Sequence, residues 1–160
     1  MAKDPKYKYE GRLVAEADKE KGELFDIIAA VTENGQCPFV DEFYSGLCQR
    51  YIESLRNEKG LEKEDRINYE KLMFYFEKFV ATGKWNNIRQ LRPIEDGFFE
   101  FKSIETGMRV IFYYDDQNRS VIILTHYFDK GGHDKTPPKE KKRMNDIRKS
   151  FDTRRRKGGN

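Results

Sequence analysis

Both histidines of this 160-residue chain lie in one fifteen-residue stretch, 126–140, which reads HYFDKGGHDKTPPKE. It follows the apolar run VIILT and precedes a strongly basic terminus. His126 and His133 could take up or release a proton near neutral pH. Lys130 and Lys135 could neutralise an anionic substrate. A simple turn between a strand and a helix needs none of this chemistry, so the stretch is a candidate site.

Two more cations lie on strands predicted upstream of this stretch. Side chains alternate between the two faces of a strand. If Phe99 and Phe101 of FFEFK point into the core, as Val110 and Phe112 of MRVIFYY do, then Lys102 and Arg109 both point to the outer face. In the next strand, the pattern leaves two choices for the outward-facing set: Val121, Ile123, Thr125 and Tyr127, or Ile122, Leu124, His126 and Phe128.

A patch that gathers these cation-capable groups would suit a phosphodiester: Lys102, Arg109, Lys130, His133 and Lys135. Cleavage of RNA without a metal ion requires a base for the 2′-hydroxyl proton, cations for the phosphoryl oxygens and an acid for the leaving oxygen. Either histidine could transfer a proton, and Tyr127 could stack on an unpaired base. The alternative interpretation is an ordinary surface charge for each cation and a buried strand histidine for His126.

The two cysteines do not indicate a metal site. Cys37 and Cys48 lie in or beside an apolar segment and do not form a CxxC pair. A zinc site would have to combine them with the histidines at no recognisable spacing. We therefore predict reduced, partly buried thiols and no metal.

Hydrophobic periodicity predicts the elements that position the candidate residues. An apolar, β-branched run predicts a strand at 23–31. Apolar residues at three- and four-residue steps predict two helices, 39–55 and 62–81, and their short polar link predicts an antiparallel hairpin. Runs of period two predict three further strands, 98–102, 108–114 and 120–128. With a closing basic helix at 138–154, this order predicts a small α+β domain with one antiparallel sheet.

Charge is unevenly distributed along the chain. The net charge is +3, but residues 139–157 carry ten Lys and Arg against three Asp and Glu, an excess of seven, so the remainder carries −4. A basic end on an acidic body indicates a polyanionic partner. We expect RNA contacts from four residues of this end: Lys139, Lys142, Arg143 and Arg148. The alternative is a solvated helix face.

The ends of the chain are predicted to lie outside the main domain. Residues 1–22 are polar and alternate in charge sign, which predicts an N-terminal extension, partly ordered, in which 9–14 could form a strand. Residues 154–160 are four consecutive Arg and Lys followed by Gly-Gly-Asn, and we predict that they form a disordered basic tail. No apolar stretch is long enough to span a bilayer, and the start lacks the apolar core of a secretion signal, so we expect a cytoplasmic protein.

Several segments resemble one known family. The run FFEFKSIETGMRVIFYYDDQNRSVIILTHYFDKGGHDKTPPKE at 98–140 resembles the C-terminal half of phage-derived, HigB-like toxins of the RelE/ParE superfamily. Upstream, LRPIEDG resembles the family's approach to this run, and GQCPFVDEFYSGL resembles its entry into the first helix. The likeness spans about 23–148, which predicts a toxin domain at 23–153.

The resemblance implies an α+β fold in which a helical hairpin packs on a curved antiparallel β-sheet. It implies the toxin of a type II toxin–antitoxin system, which cleaves messenger RNA on translating ribosomes and is neutralised by an antitoxin, often a small helix-turn-helix protein. It also implies an RNA site without metal or small-molecule cofactor, formed by Lys102, Arg109, Lys130 and Lys135. Here Lys102 stands where the family usually has arginine.

Relatives within this superfamily differ in what they act on. Some act on gyrase rather than RNA. The alternative function is therefore a non-catalytic binding module, either a gyrase-directed relative or an inactive nucleic-acid-binding protein.

Overall fold

The computed structural model describes residues 7–57, 60–84, 91–130 and 135–158. In these residues a seven-stranded sheet separates a helical hairpin on one face from a long helix on the other. The strands are β1 Tyr7–Lys8, β2 Gly11–Ala15, β3 Asp26–Ala29, β4 Leu91–Pro93, β5 Phe98–Lys102, β6 Met108–Tyr114 and β7 Val121–Asp129. The helices are α1 Ser45–Arg56, α2 Lys63–Thr82 and α3 Pro138–Gly158. The predicted α+β class is confirmed.

The strand order in the sheet is β1-β2-β3-β7-β6-β5-β4. Neighbouring strands are antiparallel except β3 and β7, which pair in parallel from Asp26↔Val121 to Ala29↔Leu124. β3 is buried along its whole length. An apolar strand covered on both faces belongs inside a sheet rather than at its edge. The sheet is therefore mostly antiparallel, with one parallel pair that the sequence did not indicate.

The helical hairpin lies where the apolar periodicity predicted it. α2 starts and ends one residue after the predicted 62–81. It ends at Gly83, which has a φ of 68° and donates its N–H to the carbonyl of Phe79 at 2.7 Å. α1 is preceded by a π-helical turn at Val40–Tyr44, so the first predicted helix consists of two pieces.

The two faces of the sheet support separate apolar cores. Aromatic rings dominate the core beneath the hairpin. The centroid of Phe101 lies 4.9 Å from that of Tyr75 and 5.9 Å from that of Phe79. Because each ring buries a large area, a few of them fill a core in a chain with only 37% hydrophobic residues. The opposite core is closed by one side of α3: Met144, Ile147 and Phe151.

A β-bulge in β7 decides which of its side chains reach each face. Ile111 pairs with His126 and Phe112 with Leu124, so Thr125 is an extra residue. Its hydroxyl donates to the carbonyl of Ile111 at 3.2 Å. Neither alternating pattern predicted for this strand is correct, because the alternation reverses at the bulge. The core beneath the hairpin receives Ile122, Leu124 and Tyr127, and the core beneath α3 receives Val121, Ile123 and Phe128.

The N-terminal segment takes part in the sheet. β1 and β2 both come from residues 1–22, for which the sequence indicated only partial order. Asp26, at the start of β3, accepts a hydrogen bond from the hydroxyl of Tyr9 at 3.0 Å and forms an ion pair with Lys8 at 2.9 Å. These contacts join the β1–β2 hairpin to the body of the domain.

The C-terminal helix is longer than the sequence indicated. α3 continues to Gly158, through residues placed by the sequence in a disordered tail. Ion pairs to the body hold this end: Arg155 lies 3.0 Å from Asp115, and Lys157 lies 3.0 Å from Glu33. Residues 159 and 160 lie outside the described part. None of the helices in the described ranges combines the length and apolarity needed to cross a membrane.

We expect Gly83→Ala to lower the free energy of unfolding by about 2 kcal/mol or more. A side chain in the left-handed region costs on the order of 1 kcal/mol, and overpacking adds a similar amount or more. The added Cβ would overlap the ring of Phe25. Urea unfolding measures the loss.

Gly35→Ala is the matched control for this prediction. Gly35 also has a positive φ, 81°, but nothing lies within 4 Å of an added Cβ. It should therefore show only the backbone cost of about 1 kcal/mol. Equal losses in the two variants would contradict the predicted overlap at Gly83.

Candidate functional site

Glu100 on β5 is a carboxylate with no exposed surface, and four polar side chains converge on it. Its Oε1 lies 3.1 Å from Arg92 Nη2, 3.4 Å from Lys130 Nζ and 3.7 Å from Arg109 Nε. Its Oε2 accepts a hydrogen bond from the hydroxyl of Thr136 at 3.2 Å. We call Arg92, Glu100, Arg109 and Lys130 the charged cluster.

The register of the sheet brings the charged cluster together. Arg92 pairs with Glu100 across β4 and β5, and Lys102 pairs with Arg109 across β5 and β6. Residues directly opposite each other on antiparallel strands lie on the same face. This face is opposite to that of Phe101, which packs against the hairpin. Lys102 and Arg109 therefore share a face, as their alternation predicted.

Arg109 is fixed by backbone carbonyls as well as by the cluster. Its Nη1 donates to the carbonyls of Met108 and Ser103, at 2.9 and 3.3 Å. Burial lowers the pKa of the Arg109 guanidinium, and the charge of Glu100 opposes this effect. Because an arginine titrates far above neutrality, Arg109 keeps its charge. It provides a cation of fixed position.

Lys130 comes directly after β7 and is only 2% exposed. Its backbone N–H donates to the carbonyl of Gly107 at 3.0 Å. Burial lowers the pKa of the Lys130 amine, Arg92 and Arg109 lower it further, and Glu100 opposes them. A lysine with a lowered pKa can stabilise an anion or transfer a proton.

The rest of the stretch 126–140 is only partly described. Lys135 is exposed and lies next to Thr136, whose hydroxyl contacts Glu100. His133 lies at 131–134, outside the described residues. Its assignment to proton transfer remains a prediction.

His126 lies in the interior on the α3 side of the sheet, 1% exposed. Its Nδ1 is 3.1 Å from the hydroxyl of Thr125, and its Nε2 is 3.5 Å from Glu140 Oε1. Burial, with a contribution from Arg143, lowers the pKa of His126 to about 3. The imidazole is therefore neutral at physiological pH and covered by α3. This placement supports the structural interpretation that the sequence left as the alternative.

Tyr127 is separated from the charged cluster by the sheet. Its ring stacks on Phe43 with centroids 3.8 Å apart and an interplanar angle of 7°. The hairpin core includes both rings. The structure therefore does not bring Tyr127 together with the cations that the sequence grouped with it.

The four basic residues of α3 expected to contact RNA fall into two pairs. Lys139 and Lys142 are exposed. Arg143 forms an ion pair with Glu42. Arg148 forms one with Asp116 at 2.8 Å, and its guanidinium lies 4.4 Å from the ring centroid of Tyr113. The two arginines thus join α3 to the body, whereas the two lysines face solvent, Lys142 in an exposed ion pair with Asp146 of the same helix at 2.9 Å.

Sequence reasoning did not identify three members of the site: Arg92, Glu100 and Thr136. The position of Glu100 between two phenylalanines of a predicted strand was a sequence signal that this carboxylate could be part of a site. For Arg92 there was no such signal, because β4 is only three residues long. Within the described ranges, no group of three or more His, Cys, Asp or Glu side chains is placed to hold a metal ion.

We expect the stability of the protein to fall as the pH is lowered from about 6.5 towards 3, partly through His126. In this window the unfolded chain binds a proton at His126, whose ordinary pKa is 6.5, whereas the folded chain does not until about 3. The loss is up to about 1.4 kcal/mol per pH unit. Urea unfolding between pH 7 and 4 should therefore show a steeper decline for the wild type than for His126→Gln.

Two charged groups of α3 face His126 and are kept in both proteins: Glu140 and Arg143. They do not account for a difference in slope between wild type and variant. Parallel stability curves would show that His126 is not held neutral by burial.

A family model matches the chain over residues 59–149, with the description "Phage derived protein Gp49-like (DUF891)". The match covers more than half of the 160 residues and includes α2 and every member of the charged cluster. A search of curated proteins found no match. The chain therefore belongs to the phage-derived Gp49-like family, a family of RelE/HigB-like toxins of toxin–antitoxin systems.

Proposed function

We propose that this protein is the toxin of a type II toxin–antitoxin system and cleaves messenger RNA on translating ribosomes without a metal ion. The observation that carries the proposal is the convergence of Arg92, Arg109 and Lys130, from three separate segments, on one end of the sheet in a chain of a toxin family. Negative charge develops on the phosphoryl oxygens during phosphodiester cleavage, and fixed cations stabilise it.

The cations have different roles in this proposal. Arg92 and Arg109 bind the phosphoryl oxygens, since a guanidinium can donate two parallel hydrogen bonds to a phosphate. Arg92 is the more accessible, with 30% of its side chain exposed against 11% for Arg109. Lys102, on the same face, adds positive charge beside them. Substrate thus approaches from the side of β4.

Proton transfer is assigned to the segment that follows β7. His126 is covered by α3, which leaves His133 as the histidine of choice. Lys130 is the alternative, because its lowered pKa favours the neutral amine more than in an ordinary lysine; its side chain is 1% exposed, so this role requires RNA binding to bring it into contact with the substrate. Lys135 is exposed beside Thr136 and provides a further cation.

The solvent side of α3 provides a second positive surface. Four exposed basic residues of α3 follow one another at intervals of three and seven residues, which places their side chains along one side of the helix. They are Lys139, Lys142, Lys149 and Arg156. Since these cations span 17 residue steps of the helix, from 139 to 156, this surface is roughly 25 Å long. A line of cations of this length suits the phosphate backbone of RNA.

The family also supports a protein partner. Toxins of this family pair with antitoxins, and we expect a small helix-turn-helix protein as the cognate antitoxin. Its reading frame should lie next to that of the toxin, and co-expression should neutralise growth inhibition.

Arg109→Ala should abolish the growth inhibition caused by induced expression while the protein remains folded. Losing a charged contact to a transition-state phosphate costs roughly 3 kcal/mol, a hundredfold or more in rate. The fold should persist because Glu100 keeps Arg92 and Lys130 as partners. Growth curves and circular dichroism measure the two effects.

Arg148→Ala is the control for this prediction. It removes an arginine paired with Asp116 and should remain toxic. An equally toxic Arg109→Ala would exclude Arg109 from the site.

Two readouts after induction separate RNA cleavage from the gyrase-directed alternative. Rapid loss of protein synthesis in the wild type, absent in Arg109→Ala, supports the ribonuclease. A DNA-damage response without loss of protein synthesis would instead support the binding module.

The α3 surface gives a prediction about binding rather than cleavage. Lys139→Gln with Lys142→Gln should weaken RNA binding and reduce the slope of log affinity against log salt by roughly one to two units. The matched control, Arg143→Gln with Arg148→Gln, removes the same charge from the same helix. Because these arginines are paired with Glu42 and Asp116, the control should mainly lower the melting temperature. Equal slope changes in the two variants would contradict the separate roles.

A further inference from the structure

Glu100 is the point at which segments far apart in the sequence meet. Arg92 comes from the edge strand β4, Arg109 from β6 and Lys130 from the exit of β7, and all three approach Oε1. Thr136 attaches the segment before α3 to Oε2. One side chain therefore joins β4, β6, the exit of β7 and the segment before α3.

The carboxylate has no direct route to a substrate. Glu100 is 0% exposed, so a 2′-hydroxyl or phosphate cannot reach its oxygens in this structure. A general base must lie within hydrogen-bond distance of the proton that it removes. Glu100 can therefore act only through the side chains that touch it.

Electrostatics gives this contact a specific consequence. Arg92, Arg109 and Lys130 carry like charges and would separate without a shared anion. Arg92 lowers the pKa of both Arg109 and Lys130, and Glu100 raises both. Among the described residues, further ionisable groups near the cluster include Lys102 on β5, Asp129 on β7 and Tyr75 on α2.

We propose that Glu100 is a positioning residue that holds Arg92, Arg109 and Lys130 together as one phosphate-binding clamp. This inference rests on the proposed function, which supplies the substrate of the clamp, a phosphodiester of RNA. The carboxylate fixes where the three cations lie and raises the pKa of Lys130 against the opposing effects of burial and the two arginines, and the more exposed Arg92 and Arg109 bind the substrate. Removal of the negative charge thus acts on binding and on the pH range of activity, beyond any effect on the fold.

Glu100→Gln tests the clamp, with Glu140→Gln as the matched control. Glu140 is also a buried carboxylate, 7% exposed, but it faces His126 and lies outside the cluster. In Glu100→Gln we expect at least a tenfold loss of affinity for a non-cleavable 2′-O-methyl RNA and of single-turnover cleavage. We also expect the pKa of Lys130, followed by NMR of its labelled side chain, to fall further. Glu140→Gln should change none of these.

Glu100→Asp keeps the negative charge on a shorter side chain. It provides a second test of the clamp if the glutamine variant does not fold. It should fold, retain more affinity than Glu100→Gln, and lower the pKa of Lys130 by a smaller amount. If either folded variant at position 100 loses thermal stability but leaves RNA affinity and Lys130 titration as in the wild type, Glu100 is only structural and the clamp is refuted.

The Lys130 titration does not depend on RNA chemistry, so it separates the two proposals. A wild-type protein that neither binds nor cleaves RNA would overturn the proposed function. If Lys130 still titrates lower in the glutamine variant of that protein, Glu100 holds the cations as inferred, but for another ligand. If Lys130 titration is unchanged, the clamp itself is overturned.

Discussion

A carboxylate buried without any exposed surface constrains one whole end of this sheet. An ionised group removed from water is tolerated only where opposite charges and hydrogen-bond donors surround it. Glu100 meets this requirement through three cations and one hydroxyl. To supply them, the edge strand β4 must pair with β5, and the chain leaving β7 must stay paired with the segment before β6 at Gly107. The same contacts place several positive charges within reach of one ligand.

Part of the positive charge of the C-terminal helix is paired with acidic residues of the same molecule. The acidic body and the basic C-terminal helix have opposite net charges, and α3 lies on the body rather than apart from it. Arg143, Arg148 and Arg155 are paired with Glu42, Asp116 and Asp115. Ion pairs with exposed members contribute little energy each, so the apolar contacts of α3 remain the main source of its attachment. The cations on its solvent side are the ones left for a polyanion.

The bulge at Thr125 links the packing of the domain to the chemistry of the candidate site. It turns Tyr127 towards the hairpin and His126 towards α3. The bulge thus takes the ring of Tyr127 off the face that carries the charged cluster, and it puts His126 on that face, where α3 covers it. In exchange, His126 becomes an uncharged part of the core beneath α3.

Sequence periodicity alone predicted the helical hairpin, the three strands from 98 to 128, the closing helix and the shared face of Lys102 and Arg109. These features follow from the periodicity of side chains that are neighbours in the chain, and local geometry is enough to read them. Four features became visible only in the folded chain: the parallel β3–β7 pair, the bulge, the partners of Glu100, and which α3 cations face solvent. Each of these depends on contacts between residues separated in the sequence: Glu100 with Arg92 and Lys130, or Arg143 with Glu42. Such contacts form because buried charge must be paired and apolar faces must be covered, and a local pattern does not specify which distant residue does so.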